Sequence, residues 1–121
     1  MLFYVNVEMT EFIVIYYAPR SANEKMHSMS PEDMKKGMEL WMKWAEKCGE
    51  HLIDMGAPLG NGQYIDASGN SSSKAEVGGY SILQADSMAE AKQLLKGHPH
   101  LGWGDGCYIE VHEKMPLPKC D

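Results

Sequence analysis

The order of strand-type and helix-type segments is the feature of this chain that most restricts its fold. Segments rich in β-branched and aromatic residues lie at 12–17, 52–59, 79–85 and 107–112. Amphipathic segments near 30–48 and 87–96 separate the first strand from the second and the third from the fourth. This β-α-β-β-α-β order predicts an α+β, ferredoxin-like fold, in which both helices cover one face of a sheet.

Both helical segments carry strong signals at their ends. Ser30 precedes Pro31, which is typical of a helix start because a serine hydroxyl accepts from free backbone amides and proline suits the first helical position. Ser87-Met-Ala-Glu90 is a capping box that starts the second helix. Gly49 and Gly97 are the expected ends of the two helices, because glycine adopts the backbone conformation that follows many helices.

Two connections are predicted to lack regular structure. Residues 20–29 form a polar connection after the first strand, and residues 67–74 form a serine-rich flexible loop. Between them, Asn61-Gly62 favours a hairpin turn, after which residues 63–66 return briefly as a strand. We expect one domain over 1–121, with 1–8 as a possible extension and 116–121 as a tail.

Composition excludes several classes of function. The net charge of -6 and the scattered basic residues argue against a nucleic-acid partner and against an anionic membrane surface. No apolar run reaches the roughly 18 to 20 residues that a membrane span needs. The three cysteines, Cys48, Cys107 and Cys120, are widely spaced and form no metal or redox motif. We therefore expect free thiols in a reducing cytoplasm and no cofactor.

The sequence also predicts that the sheet face opposite the helices needs a partner. Strand 107–112 alternates, so that Cys107, Ile109 and Val111 suit the helix side while Tyr108, Glu110 and His112 suit the other side. Strand 12–17, in contrast, is apolar or aromatic on both sides. A large apolar surface would stay exposed in a single chain, so we expect a homodimer through this face.

The same segments resemble the YCII-related (DGPF-domain-like) family over roughly residues 9–115. The resemblance is carried by Phe12-Ile-Val-Ile-Tyr-Tyr-Ala-Pro19, Ser30-Pro-Glu32, Gly56-Ala-Pro-Leu-Gly60, Gly79-Tyr-Ser-Ile-Leu-Gln-Ala-Asp-Ser87, His98-Pro99 and Ile109-Glu-Val111. It implies a dimeric α+β barrel, in which two sheets face each other and enclose small cavities. The Asp-Gly-Pro-Phe signature of one branch is absent, and Asp33 and Lys47 stand where another branch has a His–Asp pair. The resemblance therefore implies a fold but no catalytic residue.

Candidate site residues concentrate in the segment from His98 to His112. His98 and Asp105 are the predicted acid–base pair, because an ordinary imidazole titrates near pH 6.5 and a carboxylate can orient it. The predicted pocket-shaping residues are Tyr16, Tyr80, His100, Trp103 and His112. Each has a plainer interpretation: a histidine that stabilises a helix end, an aspartate in a turn, or an aromatic residue in the core. No metal motif stands out, since His100 and His98 flank a proline in a loop.

Two functions stay open at this point. The first is a small-molecule-binding dimer or enzyme, with acid–base chemistry in a cavity at the facing sheets. The second is a non-catalytic dimeric accessory or interaction domain whose histidines are structural. For the methionines of the first helix, Met34, Met38 and Met42, core or dimer packing is favoured over ligand contact, because methionine commonly fills gaps in cores and interfaces.

Overall fold

The computed structural model describes residues 9–118. Its strands and helices, in chain order, are β1 Thr10–Tyr17, α1 Arg20–His27, α2 Pro31–Cys48, β2 Leu52–Pro58, β3 Gln63–Asp66, β4 Gly69–Ser72, β5 Val77–Ala85, α3 Met88–Leu95 and β6 Tyr108–Glu113. Short 3-10 turns lie at Gly49–His51 and Pro99–Gly102. Within the part described, no helix has the length and apolar character to cross a membrane. The predicted extension at 1–8 and the end of the predicted tail lie outside these residues.

The main sheet has the ferredoxin-like order predicted from the sequence. Its four strands run β2-β5-β1-β6, and every neighbouring pair is antiparallel. Phe12 and Val14 of β1 and Leu83 of β5 point to the side covered by α2 and α3, where they form the core with Trp44. Burial of these side chains supplies the main stabilisation of the fold.

The predicted helix ends are confirmed. Ser30 Oγ accepts a hydrogen bond from the backbone N–H of Asp33 at 3.1 Å, and Ser87 Oγ accepts one from the N–H of Glu90 at 3.2 Å. Gly49 has a φ of 55° at the end of α2, a conformation that other residues adopt only with strain. Local capping chemistry therefore sets the bounds of α2 and the start of α3.

Both connections that were predicted to be irregular contain regular structure. Residues 20–27 form α1, which starts after Pro19 without a side-chain cap and buries Ala22. Its eight residues are mostly polar and gave no clear hydrophobic period. Residues 69–72 form β4, which pairs with β3 in a hairpin separate from the main sheet. Backbone pairing stabilises this hairpin. Because its side chains are exposed on both faces, its sequence shows no alternation of apolar and polar residues.

The predicted division of the last strand between two faces is confirmed. Ile109 and Val111 pack against the core, whereas Tyr108, Glu110 and His112 are exposed on the face away from the helices. On the same uncovered face, Ile13 and Ile15 of β1 pair with His112 and Glu110. Tyr17 and Tyr108 stack with ring centroids 4.7 Å apart. This face therefore carries a mixed, largely apolar surface.

Helix α2 approaches the sheet only along its second half. Trp44 and Cys48 are buried, whereas Met34 and Met38 in the first half are 51% and 55% exposed. These methionines therefore do not pack in the core of the single chain, and the alternative of dimer packing stays a prediction. The space between the first half of α2 and the sheet is the cavity described next.

Candidate functional site

A cavity of about 420 Å³ lies between the first half of α2 and the sheet. Its walls come from the end of α1, from α2, from β2 and β5, and from the segment 99–103. Glycines at 56, 78 and 79 let the strand backbone form part of the wall. The volume falls in the range of ~300 to 1,000 Å³ that is usual for small-molecule sites.

The lining of this cavity is apolar and rich in methionine. Five methionine side chains border it, at 26, 29, 34, 38 and 55, and Trp41 and Trp103 add aromatic surface. Methionine is flexible and polarisable, so such a wall adapts to ligands of different shape. Among the described residues that line the cavity, none is Asp, Glu, Lys or Arg.

Three side chains and two backbone groups form a hydrogen-bond chain beneath the cavity. The Tyr16 hydroxyl lies 2.7 Å from Ser81 Oγ and 3.2 Å from His98 Nε2. Ser81 donates to the backbone carbonyl of Met55 at 2.7 Å. The backbone N–H of His100 donates to His98 Nδ1 at 2.9 Å.

These contacts fix the direction of each donor. His98 Nδ1 accepts from an N–H, so the neutral ring carries its proton on Nε2 and donates it to the Tyr16 oxygen. Ser81 uses its proton on Met55, so the Tyr16 hydroxyl donates to Ser81. The protons of His98, Tyr16 and Ser81 are therefore all used inside the protein.

Burial keeps the His98 ring and the Tyr16 hydroxyl uncharged. His98 is 2% exposed, and its ring is enclosed by Tyr16, Trp41 and Trp44 at centroid distances of 5.0, 4.6 and 4.3 Å. Burial, with a smaller contribution from His100, lowers the pKa of His98 to about 3. Burial also raises the pKa of Tyr16 well above its ordinary range. A lowered pKa disfavours proton exchange by His98 near neutral pH, and its predicted acid–base role stays a prediction.

His100 occupies a different position in the same site. It is buried and borders the cavity, and its Nε2 donates to the backbone carbonyl of Tyr17 at 2.8 Å. Because a carbonyl only accepts, this bond places the proton of a neutral ring on Nε2 and leaves a lone pair on Nδ1. No described group in the range 9–118, which leaves out the side chain of residue 23, hydrogen-bonds to that Nδ1.

The structure does not bring His98 and Asp105 together. Both ring nitrogens of His98 are bonded to other groups, and Asp105 is exposed. Asp105 instead borders a second, polar cleft of about 440 Å³, together with Ser21, Lys25 and Trp103. The predicted orientation of His98 by Asp105 is thus absent, and a direct catalytic role for either residue stays a prediction.

The other predicted residues divide between the cavity and the surface. Trp103 borders both the cavity and the polar cleft, and Lys25 lies 4.8 Å from the centroid of its ring. Tyr80 touches the cavity but donates its hydroxyl to Asp54 Oδ2 at 3.4 Å. His112 lies on the uncovered sheet face and bonds to Glu110 at 3.0 Å. Its predicted place in a cavity between facing sheets requires a second copy.

Several contributors to the site were not anticipated, among them Ser81, Met26 and Met29. Ser81 lies at a core-facing position of β5. The signal in the sequence was a serine at a position where the alternation of the strand predicts an apolar residue. Met26 and Met29 border the cavity from the end of α1 and the following turn. Met29 lies beyond the end of α1, so no helical period in the sequence could link it to Met26.

The described residues contain no cluster of three or more His, Cys, Asp or Glu side chains arranged to hold a metal ion. Both ring nitrogens of His98 are engaged with groups of the protein, whereas His100 is engaged only through Nε2. The thiol of Cys48 is buried, and burial raises its pKa. It thus belongs to the core, as the sequence predicted.

No protein-family model matches the chain, and no curated protein matches it. Among solved structures, it is similar to 5-chloro-2-hydroxyhydroquinone dehydrochlorinase from Burkholderia phenoliruptrix, in complex with 2,5-dihydroxybenzoquinone. The identity is 17%, the TM-score is 0.47, and the alignment covers 83% of this chain and 90% of that chain. This likeness assigns no activity to the chain.

Proposed function

We propose that the protein binds an uncharged, mostly apolar small molecule in the cavity between α2 and the sheet. The observation that carries this proposal is an apolar cavity of about 420 Å³ with one polar ring nitrogen, Nδ1 of His100, left without a partner in the described chain. Sites of this kind bind by apolar contact and orient the ligand through a few polar groups. Any reaction there would be acid–base chemistry through that imidazole.

Gly37 supports the view that this space is kept open. It lies inside α2, where glycine costs about 1 kcal/mol relative to alanine, and it borders the cavity. A Cβ atom added at this position would meet nothing within 4 Å. The helix therefore carries an unfavourable residue at a position that borders the cavity and has open space around it.

Filling the cavity is expected to abolish binding. We expect Gly37→Leu to fold at least as stably as the natural chain while it weakens binding of 2-methoxynaphthalene at least tenfold, because its side chain occupies the ligand's space. Fluorescence titration of that compound measures the affinity. Lys36→Leu, at a neighbouring exposed position outside the lining, is the matched control and should bind normally. Equal binding by Gly37→Leu, or no saturable binding by the natural chain, would contradict the proposed function.

We also propose that the chain forms a homodimer through the uncovered sheet face and belongs to the YCII-related family. The support for the dimer is the run of Ile13, Ile15 and Tyr17 on a face that no helix covers. The support for the family is the order of the sequence segments that carry the resemblance. Each of them lies at a defined structural position, such as the cap of α2 or the turn at His98. A cavity between two facing sheets would then exist in addition to the one described.

Light scattering tests the dimer. We expect a species of twice the chain mass of 13.5 kDa at micromolar concentration, and a monomer for Ile15→Glu, because a carboxylate would be buried without a partner in the interface. Lys92→Glu, on the exposed side of α3, changes charge away from that face and should stay dimeric. A monomeric natural chain would refute the dimer. A dimer that fails to bind the naphthalene compound would instead favour the non-catalytic interaction domain.

A further inference from the structure

Among the imidazole and hydroxyl groups at the cavity, one ring nitrogen keeps a lone pair for a ligand donor. The hydroxyls of Tyr16 and Ser81 donate inside the protein, and so does Nε2 of His98. The lining contains no side chain of Asp, Glu, Lys or Arg among the residues described. A charged ligand would therefore lose its water without gaining a counter-charge, which is strongly unfavourable.

The remaining group is the Nδ1 atom of His100, and two contacts hold it in place. The ring donates through Nε2 to the Tyr17 carbonyl at 2.8 Å, which fixes the tautomer and the ring plane. The backbone N–H of the same residue donates to His98 Nδ1 at 2.9 Å, which anchors the turn. Among the described residues, no buried side-chain nitrogen or oxygen lacks a hydrogen-bond partner, so Nδ1 keeps accessible surface on a residue that borders the cavity. A ring oriented from behind by an acceptor, with its second nitrogen accessible, is the arrangement of a general base.

We infer that His100 selects for a ligand with one hydroxyl or N–H donor on an uncharged apolar body, and that it takes the proton of that donor when the donor is acidic enough. The inference rests on the proposed function and identifies its substrate class. In the transfer, the ligand O–H or N–H bond breaks, its electron pair stays on the ligand atom, and the proton forms a new N–H bond at Nδ1. The resulting imidazolium keeps its bond to the Tyr17 carbonyl.

This assignment changes the role of the neighbouring histidine. His98 has no free ring nitrogen and is uncharged at neutral pH, so it acts as a positioning residue for His100 through the backbone N–H. The aromatic rings that enclose His98 hold it against the turn, with Trp44 nearest at a centroid distance of 4.3 Å. We therefore assign the role of the base to His100 instead of His98, the residue that the sequence predicted.

A matched pair of compounds tests the inference. 2-Naphthol and 2-methoxynaphthalene have the same ring system, but only naphthol has a donor. We expect the natural chain to bind naphthol several-fold more tightly, up to about tenfold, which corresponds to one net hydrogen bond. In His100→Phe, which removes both nitrogens and keeps a planar ring, the two affinities should agree within about twofold. His27→Phe, an exposed histidine outside the cavity lining, is the control and should keep the preference.

Naphthol also reports on proton transfer, because it becomes a strong acid in its excited state. We expect naphtholate emission from the compound bound to the natural chain and emission of neutral naphthol from His100→Phe. His100→Gln provides a second variant, with an amide in place of the ring, in case the phenylalanine variant does not fold. Equal affinities for both compounds in the natural chain, or an unchanged preference and emission in the folded His100 variant, would overturn the inference alone. Failure of both compounds to bind would overturn it together with the proposed function.

Discussion

Gly56→Ala is expected to lower the free energy of unfolding by at least about 3 kcal/mol, the range of substitutions that force a backbone apart. An added Cβ at this position would lie 1.7 Å from the carbonyl oxygen of Tyr80, and the backbone φ of 81° disfavours any side chain. Neither neighbour can move without breaking the pairing of β2 with β5, because the obstacle is main chain. The register of β2 is already irregular between Asp54 and Ala57, and Asp54 Oδ1 accepts from the Gly56 N–H at 2.8 Å.

Urea unfolding followed by tryptophan fluorescence measures this effect. Gly37→Ala is the matched control, because it makes the same chemical change at a helical position with open space around the new Cβ. We expect it to raise the free energy of unfolding by about 0.5 to 1 kcal/mol. A Gly56→Ala protein within about 1 kcal/mol of the natural chain would show that β2 does not approach β5 as described.

As the pH falls, the free energy of unfolding is expected to decrease more steeply for the natural chain than for His98→Gln, which lacks the buried imidazole. The unfolded chain protonates His98 below an ordinary pKa of about 6.5, whereas the folded chain does so only near its pKa of about 3. Between these values the unfolded state binds one more proton, so the stability from this residue falls as pH falls. Between pH 7 and 4.5 the natural chain should lose about 2.5 kcal/mol more than His98→Gln.

Denaturant curves at several pH values give this difference, since the other histidines contribute equally to both proteins. Nuclear magnetic resonance of the ring protons provides a direct check, because the His98 signal should stay at its neutral position until the chain unfolds. Parallel pH slopes for the two proteins, or a His98 titration near neutral pH, would contradict the burial that we describe.

The sequence predicted the elements whose signals are local. Ser30, Pro31 and Gly49 set the bounds of α2 through their own caps, and the alternation of β6 identified its two faces. The sheet order followed from the sequence of elements, because few topologies accept that order. Helix α1 was missed because its stability comes from contacts such as burial of Ala22 rather than from a local cap.

The candidate site was predicted only in part, for a different physical reason. The segment 99–103 does border the cavity, as His100 and Trp103 indicated. However, the state of each histidine depends on groups that are distant in the chain: Tyr16 lies 82 positions from His98, and the Tyr17 carbonyl lies 83 positions from His100. The residues that flank a histidine in the sequence do not reveal which of its ring nitrogens forms a hydrogen bond within the protein. Those hydrogen bonds decide which histidine keeps a nitrogen that can bind a ligand.

The β3–β4 hairpin has a consequence for how this protein can be modified. All eight residues of its strands are exposed, including Ile65 at 77%, and it forms a separate sheet between β2 and β5. Because nothing in the core of the single chain depends on it, its length and sequence are free to change while both flanking strands keep their register. The segment is therefore the natural insertion point for a fluorescent label, an affinity tag or a second domain.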